Sequence, residues 1–346
     1  MTVPIRIGMT STVMGLGPAT LAAAHVARAR GADFFFFRPE DVDPAAETID
    51  GHFFEDGRWQ RRRTPFPDVV ENSTLEELTS EPWRSLARRC RITTPYLGGK
   101  LAVDRILRAS GQFDRILIPT FAAENADHIV ELLGRYGRVV VKPEFGTKGR
   151  GIVYAAKEGG RFIVNPDAGD QQCTLPELRS FFAGRLESEP HIVQRYVASR
   201  TATGQPFDVR IHVRRDGHAK WRGVYIIARI GTAAGITSNF ATGGSLGEGQ
   251  AFLKYHYGAG GDKVWAGVLQ LSKQFPKAFQ ALFPGTTIPA LGLDLGFDGE
   301  GNPQLFEVNS NPSPQFVPFY DHMWRIDYAI YLAKHPDVPD GVIRDQ

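Results

Sequence analysis

Apolar positions along the chain fall into short blocks, and the spacing within each block predicts the element it forms. Ile5-Arg6-Ile7-Gly8-Met9 reads as a strand. Pro18 to Arg30 carries Leu21, Ala24 and Ala27 at helical spacing, and Gly31 stands where a C′ glycine ends a helix. Asp33-Phe34-Phe35-Phe36-Phe37-Arg38 has no polar alternation, as expected of a parallel strand covered on both faces. Strand, helix and strand in this order make a βαβ unit. His52 to Gln60 places aromatic residues on both sides of Asp56-Gly57, the signature of a tight hairpin. Thr64 to Asp68 is extended, because Pro65 and Pro67 disfavour helix at the residue before each.

The pattern then alternates. A helix is expected over Leu101 to Ser110, after the turn Leu97-Gly98-Gly99-Lys100. A strand over Ile116 to Thr120 follows. The next helix, Ala126 to Tyr136, has Ile129, Leu132 and Leu133 facing inward. Arg138-Val139-Val140-Val141-Lys142-Pro143 is a β-branched strand, and Ile152-Val153-Tyr154 returns from the glycine-rich loop after it. Further strands are expected at Ile192–Val197, Asp208–Arg214, Trp221–Ile230, Ala290–Phe297 and Gln304–Val308. The helix Asp262–Gln274 interrupts them, Tyr320–Lys334 is a final helix, and Pro336 to Gln346 is a tail. The first part is α/β, the remainder α+β.

Length and composition set bounds. At 346 residues the chain has room for two or three domains. A net charge of +2 rules out a globally basic nucleic-acid coat and an acidic solvating tail. Cys90 and Cys173 are too few for a disulfide framework or a four-cysteine zinc site. No stretch approaches the roughly 20 apolar residues of a membrane span, and Met1 to Gly31 lacks a signal-peptide core. A cytoplasmic location, without membrane or nucleic-acid partners, is the expectation.

Three groups of residues carry candidate chemistry. The loop Glu144 to Gly151 lacks the Gly-Lys-Ser/Thr that opens a helix in a Walker loop, and Gly15-Leu16-Gly17 lacks a third glycine for a dinucleotide fingerprint. What remains is a β-hairpin flap. Gly146, Gly149 and Gly151 let backbone N–H groups approach an anion, Lys148 adds charge at the tip beside Thr147, and Lys142 meets the same phosphates from its strand. On a plainer view the loop is a surface hairpin.

The second group is Asp294, Glu307 and Asn309. Glu307 and Asn309 share a strand face, and a hairpin returns Asp294 close to them. Their hard oxygens suit Mg²⁺ shared with nucleotide phosphates, with Mn²⁺ as a substitute. The turn Asp298-Gly299-Glu300-Gly301-Asn302 is a hairpin turn and not a calcium loop, since Pro303 stands where that loop needs glycine. The third group is Asp208, Arg210, His212 and Arg214, which alternate with Val209, Ile211 and Val213. Such a row either faces solvent or lines the same cleft. His212 by itself reads as structural. Arg229 ends another apolar strand, and Asn239 opens a loop glycine-rich enough to approach a ligand. Arg61-Arg62-Arg63 reads either as a patch that attracts an acidic substrate or partner or, more plainly, as a solvated edge.

The order of these pieces resembles the ATP-grasp superfamily. Lys100 precedes a helix. Val141-Lys142-Pro143 leads into the flap, and Val193-Gln194-Arg195-Tyr196-Val197 follows. Then come Asp208-Val209-Arg210, Ser238-Asn239 with Gly243-Gly244, and Asp294 with Glu307-Val308-Asn309. Gly57-Arg58-Trp59, Pro65-Phe66-Pro67-Asp68-Val69, Gly204 to Val213, Trp221, Ala228-Arg229 and Leu291 to Asp294 are similar to the spore-coat-associated YheC/YheD-type branch.

The resemblance implies an ATP-grasp fold with an N-terminal Rossmann-like pre-ATP-grasp domain over residues 1–115. A flap lobe over 116–196, a metal-bearing lobe over 197–335 and a tail over 336–346 complete the division. It implies ATP as cofactor with one or two Mg²⁺ on Asp294, Glu307 and Asn309. Lys100 and Lys142 would bind phosphates, residues 146–151 would cover them, and Gln194, Arg195, Tyr196 and Val197 would hold adenine. Asp208 and Asn239 would contact nucleotide, with Arg210, Arg229 and Lys142 as the catalytic cations. Arg195 stands where many such ligases have a hinge acid, and Thr237 where peptide-extending relatives have arginine.

The implied activity is ATP-dependent ligation of a carboxylate to an amine through an acyl phosphate, on small-molecule or peptide substrates. The alternatives are a small-molecule kinase on the same fold and a spore or envelope scaffold that binds nucleotide without turnover. Whether the chain is a homo-oligomer is left open.

Overall fold

A computed structural model of the chain describes residues 3–10, 15–72, 80–146, 149–166, 169–232, 235, 237–238, 243–312 and 318–342. Thr147, Lys148 and Asn239 lie outside these described residues.

Three sheets organise the chain. The first contains β1 (Arg6–Thr10), β2 (Asp33–Phe37), β3 (Val42–Asp43), β4 (Thr48–Glu55), β5 (Arg58–Pro65), β6 (Val69–Asn72) and β7 (Arg91–Ile92). Its order is β3-β4-β2-β1-β6-β7, with β5 paired to β4. β1 is parallel to β2 on one side and to β6 on the other, so the strand order reverses direction between β1 and β6. Helix α1 (Pro18–Ala29) packs Ala23, Ala24 and Ala27 inward, and Gly31 beyond it takes φ +72°, the left-handed conformation that favours glycine. The phenylalanines of β2 split between two cores, Phe34 and Phe36 on one face and Phe35 and Phe37 on the other. Both faces are therefore covered, as the unbroken apolar run requires. Helix α2 (Glu81–Arg89) closes the second face with Trp83 and Leu86.

The second sheet is antiparallel, in the order β12-β11-β10-β9-β13-β8. It comprises β8 (Thr120–Ala122), β9 (Arg138–Pro143), β10 (Val153–Glu158), β11 (Arg161–Asn165), β12 (Gln171–Cys173) and β13 (His191–Arg195). Helices α4 (Ala126–Tyr136) and α5 (Leu175–Leu186) cover one face, packing Ile129, Leu133, Leu178 and Phe182 on Val139 and Val141. Regular pairing at β8 begins only at Thr120, later than the apolar run suggests. Pro119 has no N–H to give a ladder, and Leu117 instead makes an isolated bridge to Leu305.

The third sheet, also antiparallel, runs β16-β15-β14-β17-β18. Its strands are β14 (Phe207–Arg215), β15 (Trp221–Ile230), β16 (Ser245–Glu248), β17 (Ala290–Phe297) and β18 (Pro303–Asn309). Helices α6 (Gly249–Tyr257) and α7 (Gly261–Ala281) bury its apolar face under Leu253, Val268, Phe275 and Phe279. α7 continues through Pro276 and beyond the expected end at Gln274. Phe275 and Phe279 sit in the core on either side of the proline and hold that turn in place.

Two elements sit apart from their neighbours in sequence. Helix α3 (Lys100–Ser110) packs against β8 and β18. Helix α8 (Pro318–Lys334) leaves the third sheet and buries Ile326, Tyr328, Ala329 and Leu332 in the core of the first, against α1. The described part of the tail, residues 336–342, docks as well, through Val342. Gly341 N–H donates to Ile92 O at 2.6 Å, and Asp340 pairs with Arg91 at 3.3 Å.

Candidate active site

A cleft lies where the second sheet, β18 of the third sheet and α3 meet, lined by Lys142, Ile192, Gln194, residues 305–308 and Lys100. Lys142 is buried at the end of β9. Its Nζ donates to Gln194 Oε1 and to Phe306 O, both at 3.1 Å. Burial pushes its pKa below the usual lysine value, against the pull of Glu307. Gln194 is fixed in turn by donating to Thr120 Oγ1 at 3.0 Å.

Lys100 arrives from the start of α3. Its Nζ donates to Glu144 O at 3.1 Å and to Gly146 O, and lies 3.7 Å from Glu307 Oε1. Two ammonium groups from different elements thus converge on β18 at residues 306 and 307. Gly146 lies against Pro143, where a Cβ would come within 2.9 Å of the proline ring, and Gly151 takes φ +72° against the same ring. Gly149 also takes φ +72°. A side chain at either 146 or 151 would push the flap off its base.

The candidate hinge is used in an unexpected way. Arg195 N–H donates to Pro119 O and Tyr196 N–H to Arg138 O, at 3.0 and 3.1 Å. Those two donors are committed, and Val197 O accepts from Ser199 N–H at 2.9 Å. Arg195 is exposed and reaches Gln304 Oε1 at 3.4 Å. The Tyr196 ring meets Tyr154 edge-on, centroids 4.9 Å apart. The local pattern marks Gln194 but not its partner Thr120 or the ring of Tyr154, because those contacts are made between strands.

The polar row of β14 is buried along its whole length, so it is no solvated face. The register sets Asp208 opposite Arg229 and Arg210 opposite Asp294. Arg229 grips Asp208 through Nε at 2.7 Å and through Nη2, and its Nη2 also lies 3.0 Å from Asp294 Oδ2. Arg210 holds Asp294 through Nε and through Nη2, the latter at 2.7 Å. Asp208–Arg229–Asp294–Arg210 is a neutral chain of two acids and two bases. The two guanidinium groups hold the Asp294 carboxyl at a pKa of about 2, overcoming the opposing effect of burial.

Asp294 also sits opposite Glu307 in the register, and Asn309 lies opposite Gly292. Asp294, Glu307 and Asn309 supply two carboxylates and an amide oxygen, the hard donors that Mg²⁺ requires. Three of the four lone-pair directions of Asp294 are taken by guanidinium N–H groups, and one on Oδ1 is left. Among the described residues no three His, Cys, Asp or Glu side chains cluster as a metal site. The donor chemistry therefore fits a cation that these residues share with another ligand.

A second polar cluster lies further along the same strand. Asp321 Oδ1 accepts from Arg214 Nε at 2.7 Å, and Asp321 Oδ2 accepts from Arg325 Nη2 at 3.1 Å. Arg325 Nη1 donates to Glu71 Oε1 at 2.8 Å. His212, which reads as structural in isolation, lies with its Nε2 3.3 Å from Asp321 Oδ1. Glu71 belongs to β6, so this cluster ties the first sheet to the third through α8.

Two antiparallel sheets meeting at a cleft on which two lysines converge are the arrangement of the ATP-grasp class, and solved structures agree. D-cycloserine synthetase DcsG superposes with a TM-score of 0.55 at 15% identity, over 94% of this chain and 98% of that one. D-alanyl-alanine synthetase A from Vibrio cholerae gives 0.58 at 12% identity, over 96% and 98%. N5-carboxyaminoimidazole synthetase from Staphylococcus aureus gives 0.54 at 13% identity, over 94% and 78%. At these identities the likeness is one of fold. The YheC/D-like ATP-grasp family model matches residues 89–326, and the chain belongs to that family. A search of curated protein sequences returns no match. No helix among the described residues is long and apolar enough to cross a membrane.

Proposed function

We propose that this protein is an ATP-dependent carboxylate–amine ligase that forms an amide or peptide bond and releases ADP and phosphate. The observation that carries the reading is the convergence of Lys100 and Lys142 on Glu307, beside the buried Asp208–Arg229–Asp294–Arg210 chain. Phosphoryl transfer asks a protein for placed cations more than for a nucleophile, and the converging lysines and buried arginines support that reading.

In this reading Lys100 and Lys142 hold the phosphates, and residues 146–151, Thr147 and Lys148 among them, cover them. Both lysines would exchange backbone carbonyl partners for phosphate oxygens. Gln194 to Val197 receive the adenine, with Asp208 and Asn239 as further nucleotide contacts. Since the Arg195 and Tyr196 N–H groups are committed, backbone recognition falls to carbonyls and to Val197. Asp294, Glu307 and Asn309 would hold Mg²⁺, which when bound neutralises charge on the β- and γ-phosphate oxygens. Arg210 and Arg229 keep Asp294 ionised and present positive charge to the transferring phosphoryl group. The substrate carboxylate attacks the γ-phosphorus, the bond to the ADP oxygen breaks, and an acyl phosphate forms. An amine then displaces phosphate from the acyl carbon and loses its proton. Residues 1–115, 116–196 and 197–335 would act as pre-grasp domain, flap lobe and metal-bearing lobe, with α8 joined to the first of these.

Incubation with ATP, Mg²⁺ and hydroxylamine against carboxylate panels should yield a hydroxamate together with ADP. A stable phosphorylated product that needs no amine would show a kinase instead. Absence of any ATP-dependent product across amino acids, peptides and hydroxy acids would sink the ligase reading.

A further inference from the structure

The guanidinium of Arg200 holds three parts of the chain at once. Its Nε donates to Tyr196 Oη at 2.9 Å, its Nη1 to Gly204 O at 2.5 Å and its Nη2 to Gly235 O at 3.2 Å. Tyr196 belongs to the candidate hinge, Gly204 to the turn before β14, and Gly235 to the loop after β15. All three acceptors are neutral, so the residue is placed here by geometry and not by charge pairing. A guanidinium is planar and its donors form a rigid fork, so a shift of one acceptor moves the others or breaks a bond. The backbone of Arg200 is fixed as well, through its N–H to Ala198 O at 3.0 Å and a bridge to Pro206.

The loop gripped at Gly235 runs between two candidate site residues. β15 ends at Ile230, directly after Arg229, and the buried Ser238 directly precedes Asn239. The two ends of the loop meet at Gly231. Its N–H donates to Pro206 O at 2.8 Å, and a Cβ there would collide with Thr237 O. Gly235 N–H closes a turn on Thr232 O at 2.9 Å. At the other end of the fork, the Tyr196 ring rests edge-on against Tyr154 of β10, the strand that returns from the flap. A base seated against residues 194–197 bears on a tyrosine held between β10 and Arg200.

We propose that Arg200 is a positioning residue that couples the nucleotide hinge to the loop between Arg229 and Asn239. Nucleotide at the hinge fixes the Tyr196 hydroxyl, Arg200 passes that constraint to Gly235, and the loop is ordered. The coupling is reciprocal, so an ordered loop also tightens nucleotide binding. This inference rests on the ligase reading for the nucleotide at the hinge. A lysine at position 200 keeps the charge but, as a point donor on a flexible stem, cannot hold all three acceptors in one plane.

The test is hydrogen exchange on the full chain with and without saturating Mg·ADP, beside calorimetric titration of Mg·ADP. In the wild-type protein Mg·ADP should slow exchange over residues 231–238 about fivefold or more. In Arg200→Lys and in Tyr196→Phe, each saturated with Mg·ADP, that slowing should be lost, which a merely structural role for Arg200 would not produce. Each variant should weaken Mg·ADP binding about fivefold or more, and the double variant should lie within about twofold of the weaker single one, because both changes break one bond. The wild-type exchange measurement stands if a variant fails to fold. Mg·ADP binding that leaves exchange at 231–238 unmoved overturns the coupling and leaves the ligase reading standing. Slowing that persists in both variants, or losses that add in the double variant, also overturns it. A wild-type protein that takes no Mg·ADP sinks the nucleotide reading itself, and the coupling with it.

Discussion

Arg229 is the direct cross-strand neighbour of Asp208 and also lies 3.0 Å from Asp294, two strands away. One guanidinium therefore couples a candidate nucleotide contact to a candidate metal ligand across three strands. The arrangement is buried, so its members are stable only together.

Removing one member should expose that dependence. Arg229→Met leaves Asp208 buried without its cation, and loss of one partner of such a pair costs about 3–5 kcal/mol. Urea unfolding of Arg229→Met should show a loss of this order, and the Asp208→Leu/Arg229→Met double variant should recover most of it. A loss below about 1 kcal/mol for the single variant would mean that the pair is solvated.

Lys142 predicts the opposite balance between stability and binding. Burial already disfavours its charge, and relief of that cost offsets the loss of its bonds to Gln194 and Phe306, so Lys142→Met should change the stability of the unliganded protein by no more than about 1 kcal/mol. The same change removes the proposed charged contact to phosphate, worth about 1.5–3 kcal/mol, and ADP affinity should fall about ten- to a hundredfold. Titration calorimetry and thermal unfolding on the same samples check both halves.

Glu307 should separate metal from nucleotide. Glu307→Gln keeps the shape and removes the charge that Mg²⁺ needs. ADP titrated without metal should bind within about twofold of wild type, while the gain in affinity on adding Mg²⁺ should disappear. An undiminished Mg²⁺ effect would take Glu307 out of the proposed metal site.

The histidines beside Asp321 predict a dependence on pH. Burial, reinforced by Arg325 and Arg214, lowers His212 from 6.5 to about 3, and burial with Arg325 lowers His322 from 6.5 to about 4. A base with a depressed folded-state pKa binds fewer protons folded than unfolded, so stability falls as pH drops below 6.5. The two together should cost up to about 2.7 kcal/mol per pH unit between 6.5 and 4. Asp294, depressed from 3.8 to about 2, adds a further loss only below 3.8. Glu71, raised by burial, opposes this trend above its usual 4.5. Denaturation at pH 7, 6 and 5 on wild type and His322→Asn should show the slope about halved in the variant. An equal slope would mean that His322 is protonated in the folded protein.

Much of the site can be read locally. Period-two alternation in Asp208 to Arg214 puts the four polar side chains on one face, and they are there. The Lys142-Pro143 strand end, the flap glycines and the Asp294 and Glu307 hairpin all follow from spacing of a few residues. Elements whose signal was short or mixed were less legible. α5 has its capping box, Thr174 with Glu177, and little amphipathic contrast behind it. The strand near Ile118 was displaced by a proline.

The sequence by itself determined which residue types line each strand face, because the side-chain period belongs to the backbone. It also determined the family, through the order of the motifs. Whether the β14 row meets water or other charges depended on what packs against it, and that is α8, which lies more than 100 residues later in the chain. The pairing of Arg229 with both Asp208 and Asp294 likewise depends on the register of three strands, as does the meeting of Lys100 with Glu307 on the packing of α3. Charge pairing over such separations is set by Coulomb attraction in a low-dielectric interior, and only the assembled sheets create that interior.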